Sequence, residues 1–231
     1  MNTVAIIPAR GGSKGIKRKN LVDFQGKPLV AHSIIHALES EIVTRVIVST
    51  DDEEIAEVSR KYGAEVPFLR PAELAEDHVL DYPVFKHALD WLRENENFES
   101  DIVVHLRPTA PYRKPEWIDE AVELLLMHPE AHSVRSVSEP NMHPYRTFEI
   151  DKDGYLDPIM KHKHPEPFLL RRQDLPPMYF YNCVIDVTKP STIYDLESMT
   201  GSKLFPYIMN PDEVIDIDSE RDLLIARSVF K

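Results

Sequence analysis

Short apolar runs alternate along this chain with stretches whose apolar residues recur every three or four positions. Thr3–Pro8 reads as a buried strand that stops at Pro8, which has no N–H to give to a ladder. Pro28 opens a helix with Val30, Ile34, Ala37 and Leu38 at helical spacing. Residues 45–50 (RVIVST) form a second buried strand. Asp51 or Asp52 caps the helix that follows, Ile55, Val58 and Tyr62 share its face, and Gly63 stops it. Pro83 begins a helix carrying Val84, Phe85, Ala88, Leu89 and Leu92; residues 101–106 are a strand. Pro115 starts a helix with Ile118, Ala121, Val122 and Leu125, and residues 133–137 are again strand-like. Such alternation predicts an α/β fold with a mostly parallel sheet flanked by helices.

Residues 139–179 break the rhythm with PNMHPY, DKDGY, KHKHPEPF and DLPPMY. They read as an inserted hairpin arm dividing a core made of 1–138 and 180–231. Short exposed strands seek a partner, so the arm is expected to build a dimer contact. Regularity returns at 179–187, then VIDID (214–218) and a helix from Ser219.

The net charge of −12 argues against nucleic acid or an anionic membrane as partner. No apolar run approaches the length of a membrane span. A lone Cys183 excludes an internal disulfide and a cysteine-rich metal site, and a cytoplasmic protein is expected.

Against this acidic background, IPARGGSKGIKRKN gathers Arg10, Lys14, Lys17, Arg18 and Lys19 directly after the first strand. A strand feeding such a loop is suited to phosphate: backbone N–H groups turn inward and cations close over the anion. Gly11 and Gly12 permit close approach, and Ser13 offers a hydroxyl. The spacing fits neither the Walker A pattern nor GxGxxG, and a solvated basic turn is the competing reading. In VIDID, read as a strand, Asp216 and Asp218 project together roughly 6–7 Å apart while Ile215 and Ile217 enter the core. Two such carboxylates can hold Mg²⁺, which shares its sphere with substrate phosphates. Alternatively, Asp218 or Ser219 caps the final helix. His162 and His164 read as surface residues, and on composition alone so does Arg70.

IPARGGSKGIKRKN resembles the N-terminal signature of the acylneuraminate cytidylyltransferases, the CMP-sialic acid synthetases, and of relatives activating other nonulosonic acids. RPAELAED, LRPTAPYR, RRQDLPPMYFYN and DIDSERDL resemble the family's later blocks, in order. The resemblance implies a Rossmann-like nucleotidyltransferase fold and a dimer or dimer of dimers built through the inserted arm. It implies Mg²⁺, and attack of a keto-acid sugar's anomeric hydroxyl on the α-phosphate of CTP. It makes Arg10, Gly11, Gly12, Ser13, Lys14, Lys19, Asn20 and Arg70 the nucleotide-binding set, with Arg10 and Lys19 offsetting charge on the phosphates. Asp216 and Asp218 would hold metal, Asp216 assisting deprotonation. Arg172, Gln173 and Asn182 match sugar-binding positions, where an arginine can clasp a carboxylate.

The chain also departs from the family pattern. LQPTSP becomes Leu106-Arg107-Pro108, placing a cation in the sugar pocket, and NG becomes Asn182-Cys183. Arg107 suggests a sugar other than plain N-acetylneuraminate, such as a legionaminic, pseudaminic or 3-deoxy-octulosonic relative. Asp81 falls at or beside the base-reading position, and a carboxylate there suits the donor pair of guanine, so GTP is the alternative to CTP. A catalytically silent nucleotide-binding relative is the alternative of another class; such a protein could dispense with Lys19, Asp216 and Asp218, all present here.

Overall fold

The computed structural model describes residues 1–229. The chain opens with β1 (Thr3–Pro8), a basic loop, and a small hairpin of β2 (Asp23–Phe24) and β3 (Lys27–Pro28). Then come α1 (Leu29–Glu39), β4 (Arg45–Ser49), α2 (Glu53–Lys61), α3 (Asp81–Glu96), β5 (Ile102–His105), α4 (Pro115–Met127) and β6 (Ser133–Ser138). After the segment 139–179, which holds the hairpin β7 (Phe148–Ile150) and β8 (Leu156–Pro158), follow β9 (Phe180–Thr188), α5 (Pro190–Tyr194), β10 (Leu204–Ile208) and α6 (Glu220–Val229).

The main sheet has the order β10-β6-β9-β5-β1-β4. It is mostly parallel, and β9 alone runs antiparallel to both its neighbours. Alternation along β1 divides the core between the two faces. Ala5 and Ile7 join α1, α2 and α4 on one side, and Val4 and Ile6 join α3 and α5 on the other. A third, smaller cluster matters more for the site. Ile16 of the basic loop, Phe24, Leu29, Ile217, Leu223 and Ala226 pack together and clamp the loop to the last segment of the chain.

Local chemistry explains the element ends. Asp52 caps α2 by accepting from Ile55 N–H at 3.0 Å, with acids in the first turn and Arg60 and Lys61 in the last. α3 starts at Asp81 rather than at Pro83; the proline sits in the first turn, where its missing N–H has no bond to lose. VIDID is not a strand. Residues 214–218 follow a 3-10 turn (Pro211–Glu213) and join no ladder, Ile217 N–H alone bonding Thr109 C=O at 2.7 Å. Segment 139–179 exposes Met142, Ile150, Tyr155, Leu156, Ile159 and Leu169.

Candidate active site

The strands β4, β1 and β5 are parallel, so their C-terminal ends open on one edge of the sheet, the usual place for a ligand in such folds. A cavity of about 490 Å³ lies there. Pro8, Arg10, Ser13, Lys14, Lys19 and Asn20 line it from the basic loop, Arg70, Asp77 and Asp81 from the segment before and into α3, Arg107 and Thr109 from the end of β5, and Asp218 from the last segment.

The loop is lashed down from both sides. Gly11 N–H donates to Asp51 Oδ1 at 2.9 Å. Arg18 forks onto Asp52 at 3.0 and 2.9 Å and reaches Glu54 at 2.7 Å. Arg18 is thereby a structural cation rather than a ligand-facing one. Buried Asn20 donates from Nδ2 to Arg10 C=O at 2.9 Å and ties the two ends of the loop. Gly15 makes the closest approach: a Cβ there would lie 2.1 Å from the Asp218 carbonyl oxygen. The sequence reading placed that role on Gly11 and Gly12. A Cβ on Gly11 would meet the Asp52 side chain and one on Gly12 would meet nothing within 4 Å, and neither glycine lines the cavity.

Apart from Arg70, the cavity's arginines and lysines are paired with carboxylates. Arg10 and Lys14 share Asp77 at 2.9 and 2.6 Å, and Lys19 Nζ meets Asp218 Oδ1 at 2.7 Å. That last contact joins residues 199 positions apart. Asp218 is free for it because Ser219 caps α6, in a reciprocal box with Asp222. Asp216 lies deeper. The Thr109 side chain bonds its carboxylate, yet Oδ1 is buried with no hydrogen-bond partner; burial first, and then Asp218, raise its proton affinity. Among the described residues no cluster of three or more acidic, histidine or cysteine ligands exists, so protein ligands alone do not complete a metal site. An orphaned buried carboxylate oxygen beside an exposed carboxylate nevertheless fits Mg²⁺, which takes one or two carboxylates and completes its sphere with phosphate and water.

Arg70 corrects its composition-based reading. It is 5% exposed, donates to Ser49 Oγ at 3.0 Å and to Ser49 C=O, and burial lowers its pKa to about 10. Asp81 and Arg107 stand together at 2.8 Å, so the carboxylate expected to read a base is engaged by the cation expected to read a sugar. Asn182 is buried and bonds Ser138 Oγ at 2.8 Å, lining neither this cavity nor its neighbour. Arg172 pairs with Glu139 at 3.1 Å and shares with Gln173 a separate cavity by His143 and Leu175. These three do not join the phosphate-side group in this chain's own cleft.

Sequence reasoning missed Arg135 and Asp186. Both are buried in the middle of apolar strands, and a charge at such a position was the available signal. Asp186 Oδ2 accepts from Arg107 and from Arg135, each at 2.7 Å, and from the Tyr181 hydroxyl. A second cavity of about 520 Å³ abuts the first, sharing Asp81 and Arg107; Val137, Tyr179, Tyr181, Met199, Leu204 and Phe205 give it apolar walls.

A family model described as cytidylyltransferase matches residues 4–200. The chain belongs to the cytidylyltransferase family. The enzyme is 35% identical over 240 residues to CMP-N,N'-diacetyllegionaminic acid synthase of Legionella pneumophila, covering 100% of this chain and 97% of that one. It is 34% identical over 236 residues to pseudaminic acid cytidylyltransferase of Campylobacter jejuni, with the same coverage. Identity to N-acylneuraminate cytidylyltransferase of Streptococcus agalactiae is 33%, over 97% of this chain and 52% of the relative. Among solved structures, CMP:2-keto-3-deoxy-manno-octonic acid synthetase complexed with CTP matches with a TM-score of 0.73 over 99% of this chain and 98% of that one. At 16% identity that likeness is one of fold. The expected nucleotidyltransferase class and the α/β architecture are both borne out.

Proposed function

We propose that this cytidylyltransferase transfers CMP from CTP to the anomeric hydroxyl of a sialic-acid-like 2-keto-3-deoxy sugar acid and releases pyrophosphate. The observation that carries the reading is the 2.7 Å contact of Lys19 with Asp218, which joins the phosphate-type loop to the last segment of the chain at one cavity; Asp216 lies behind Asp218 and does not itself line that cavity. The named relatives act on sugars of this kind, and an adjoining apolar cavity leaves room for an acceptor.

In this reading the triphosphate displaces Asp77 from Arg10 and Lys14, and those cations with Lys19 hold its oxygens. The acceptor hydroxyl gives its proton to the Asp216 carboxylate as its oxygen forms a bond to the α-phosphorus, the bond to the bridging oxygen breaks, and pyrophosphate departs with that electron pair. Arg10 and Lys19 offset the charge that develops on it. Asp216 and Asp218 would hold Mg²⁺, which when bound supplies neutralisation of the phosphate charge. The relatives whose names specify a CMP product or a cytidylyl transfer favour CTP over GTP as the donor. The exposed apolar side chains of segment 139–179 support a homodimer built there, and sedimentation of a variant lacking β7 and β8 checks it. Among the described residues no helix is long and apolar enough to cross a membrane.

The decisive assay is pyrophosphate release from each of four nucleoside triphosphates against a panel of 2-keto-3-deoxy sugar acids. Release with CTP and at least one nonulosonic acid is expected; release with GTP alone, or with none, refutes the reading.

A further inference from the structure

Asp186 alone does not balance the two guanidiniums that touch it. Arg107 and Arg135 both donate to Asp186 Oδ2 at 2.7 Å, and fully buried Arg113, with no carboxylate partner, donates to Val184 C=O at 2.9 Å and to Arg107 C=O at 3.4 Å. Two guanidiniums thus share one buried carboxylate, with a third beside them that touches none. The remaining counter-ion is Asp81, on the first turn of α3, whose side chain is 43% exposed, meets Arg107 through Nη2 and lies 3.9 Å from the buried His105 Nδ1. Arg107 is therefore fixed from behind, through Nη1, by a group that cannot leave, and capped in front by one that can. Its guanidinium lines both cavities, standing where the phosphate side meets the apolar chamber.

We propose that Arg107 is the carboxylate-binding residue for the acceptor, that Asp81 is the anion its carboxylate displaces, and that the apolar chamber beyond holds the body of the sugar. This rests on the acceptor being a keto acid, as proposed above. An acid whose carboxylate replaces Asp81 on Nη2 leaves the charge of the cluster unchanged and Arg107 still paired, whereas a neutral acceptor must leave the Asp81 pair in place and finds the doorway shut. Arg135 and Asp186 act as positioning residues, holding the fork of Arg107 toward the boundary. The walls given by Tyr179, Met199, Leu204 and Phe205 suit acylamino and deoxygenated carbons better than a polyhydroxylated tail. Specificity then has two parts: a charge test at Arg107 and an apolar test behind it.

The test compares wild type, Arg107→Gln, Arg107→Lys and Asp81→Asn, using an acceptor that wild type turns over and the same acceptor with its carboxylate converted to an amide. CTP affinity is followed separately by calorimetry. Arg107→Gln is expected to raise the acceptor KM about tenfold or more, the cost of a charge-assisted hydrogen bond, while CTP affinity stays put. Arg107→Lys recovers part of the loss. Asp81→Asn removes the competing anion and lowers the acceptor KM several-fold, with CTP affinity again unmoved; this exposed substitution reports independently should the Arg107 variants fail to fold. Wild type discriminates strongly against the amide, and Arg107→Gln no longer does. The inference is overturned if Arg107→Gln keeps the same preference for acid over amide, or if Asp81→Asn weakens CTP binding instead, which would make Asp81 a reader of the base. Either result leaves the cytidylyltransferase reading standing. A wild type that binds CTP but releases pyrophosphate with no keto acid defeats both.

Discussion

Asp216 carries an unmet demand. Its Oδ1 is buried without a partner, in a chain where the neighbouring carboxylate of Asp218 faces solvent and Lys19. A buried acceptor left alone costs about 1–3 kcal/mol, so the site is held at some expense to stability and is relieved by a cation. Asp216→Asn is expected to abolish turnover, to leave CTP affinity within a few-fold, and to erase the rise in Tm that Mg²⁺ gives wild type. A variant that turns over normally would remove Asp216 from the metal pair. Gly15 makes a different demand, one of space. Gly15→Ala sets a methyl group 2.1 Å from the Asp218 carbonyl oxygen, a backbone atom that cannot swing aside. The loop must lift from the last segment, parting Lys19 from Asp218. Turnover should fall by about two orders of magnitude, the scale of a misplacement near 1 Å, and Tm by a few degrees. An alanine variant of full activity would show that this approach is dispensable.

Among the elements, β9 is the one whose irregularity builds function. Its ladder with β6 pairs Asp186 with Arg135 and Tyr181 with Val137, so residues 182–185 form a bulge. In a regular strand, residues five apart face opposite sides of the sheet; here the bulge reverses the parity and sets the Tyr181 hydroxyl on Asp186 and Arg107. Cys183 sits at the turn of that bulge with φ +63°, a conformation that costs an L-residue roughly 1–2 kcal/mol. Its thiol is pushed up to about 11 by burial, which makes it inert rather than nucleophilic. Cys183→Gly therefore should keep or raise Tm, the relief of strain being partly offset by glycine's greater freedom when unfolded. Cys183→Val, β-branched and intolerant of positive φ, should lower Tm by several degrees and loosen Tyr181 from Asp186. Melting curves of the pair decide it: equal losses in both would mean that the backbone at 183 is not under strain.

Across the whole molecule, buried and half-buried histidines set the response to acid. His36 is held to about 3 by burial and then by the nearby Arg113, and burial likewise lowers His32, His87 and His105. A histidine depressed in the fold binds its proton more readily when unfolded. Its stabilising contribution is complete above the unfolded value of about 6.5 and drains away as pH falls toward the folded one. His36 by itself accounts for up to about 2 kcal/mol between pH 6.5 and 5. The urea midpoint at pH 5 should lie clearly below that at pH 7; coincident midpoints would contradict the burial of these rings. The same contrast between local and global effects governs what could be read without coordinates. Apolar periodicity, a capping aspartate and proline positions are local quantities, and they sufficed for β1, α2, α4 and the alternation of strands and helices. The loop from Arg10 to Asn20 and the aspartates 216 and 218 were likewise legible as types of chemistry, because charge density and residue identity do not depend on folding. Three outcomes needed tertiary structure. Residues 214–218 leave the sheet because Ile217 is drawn into the cluster with Ile16 and Leu223, a contact no local period encodes. Arg107 and Asp81 neutralise each other because parallel packing of β1 and β5 beneath α3 brings them together. Asp186 holds two arginines because the sheet sets it opposite Arg135 on β6 and opposite His105 on β5, two residues before Arg107, and burial then makes that pairing obligatory.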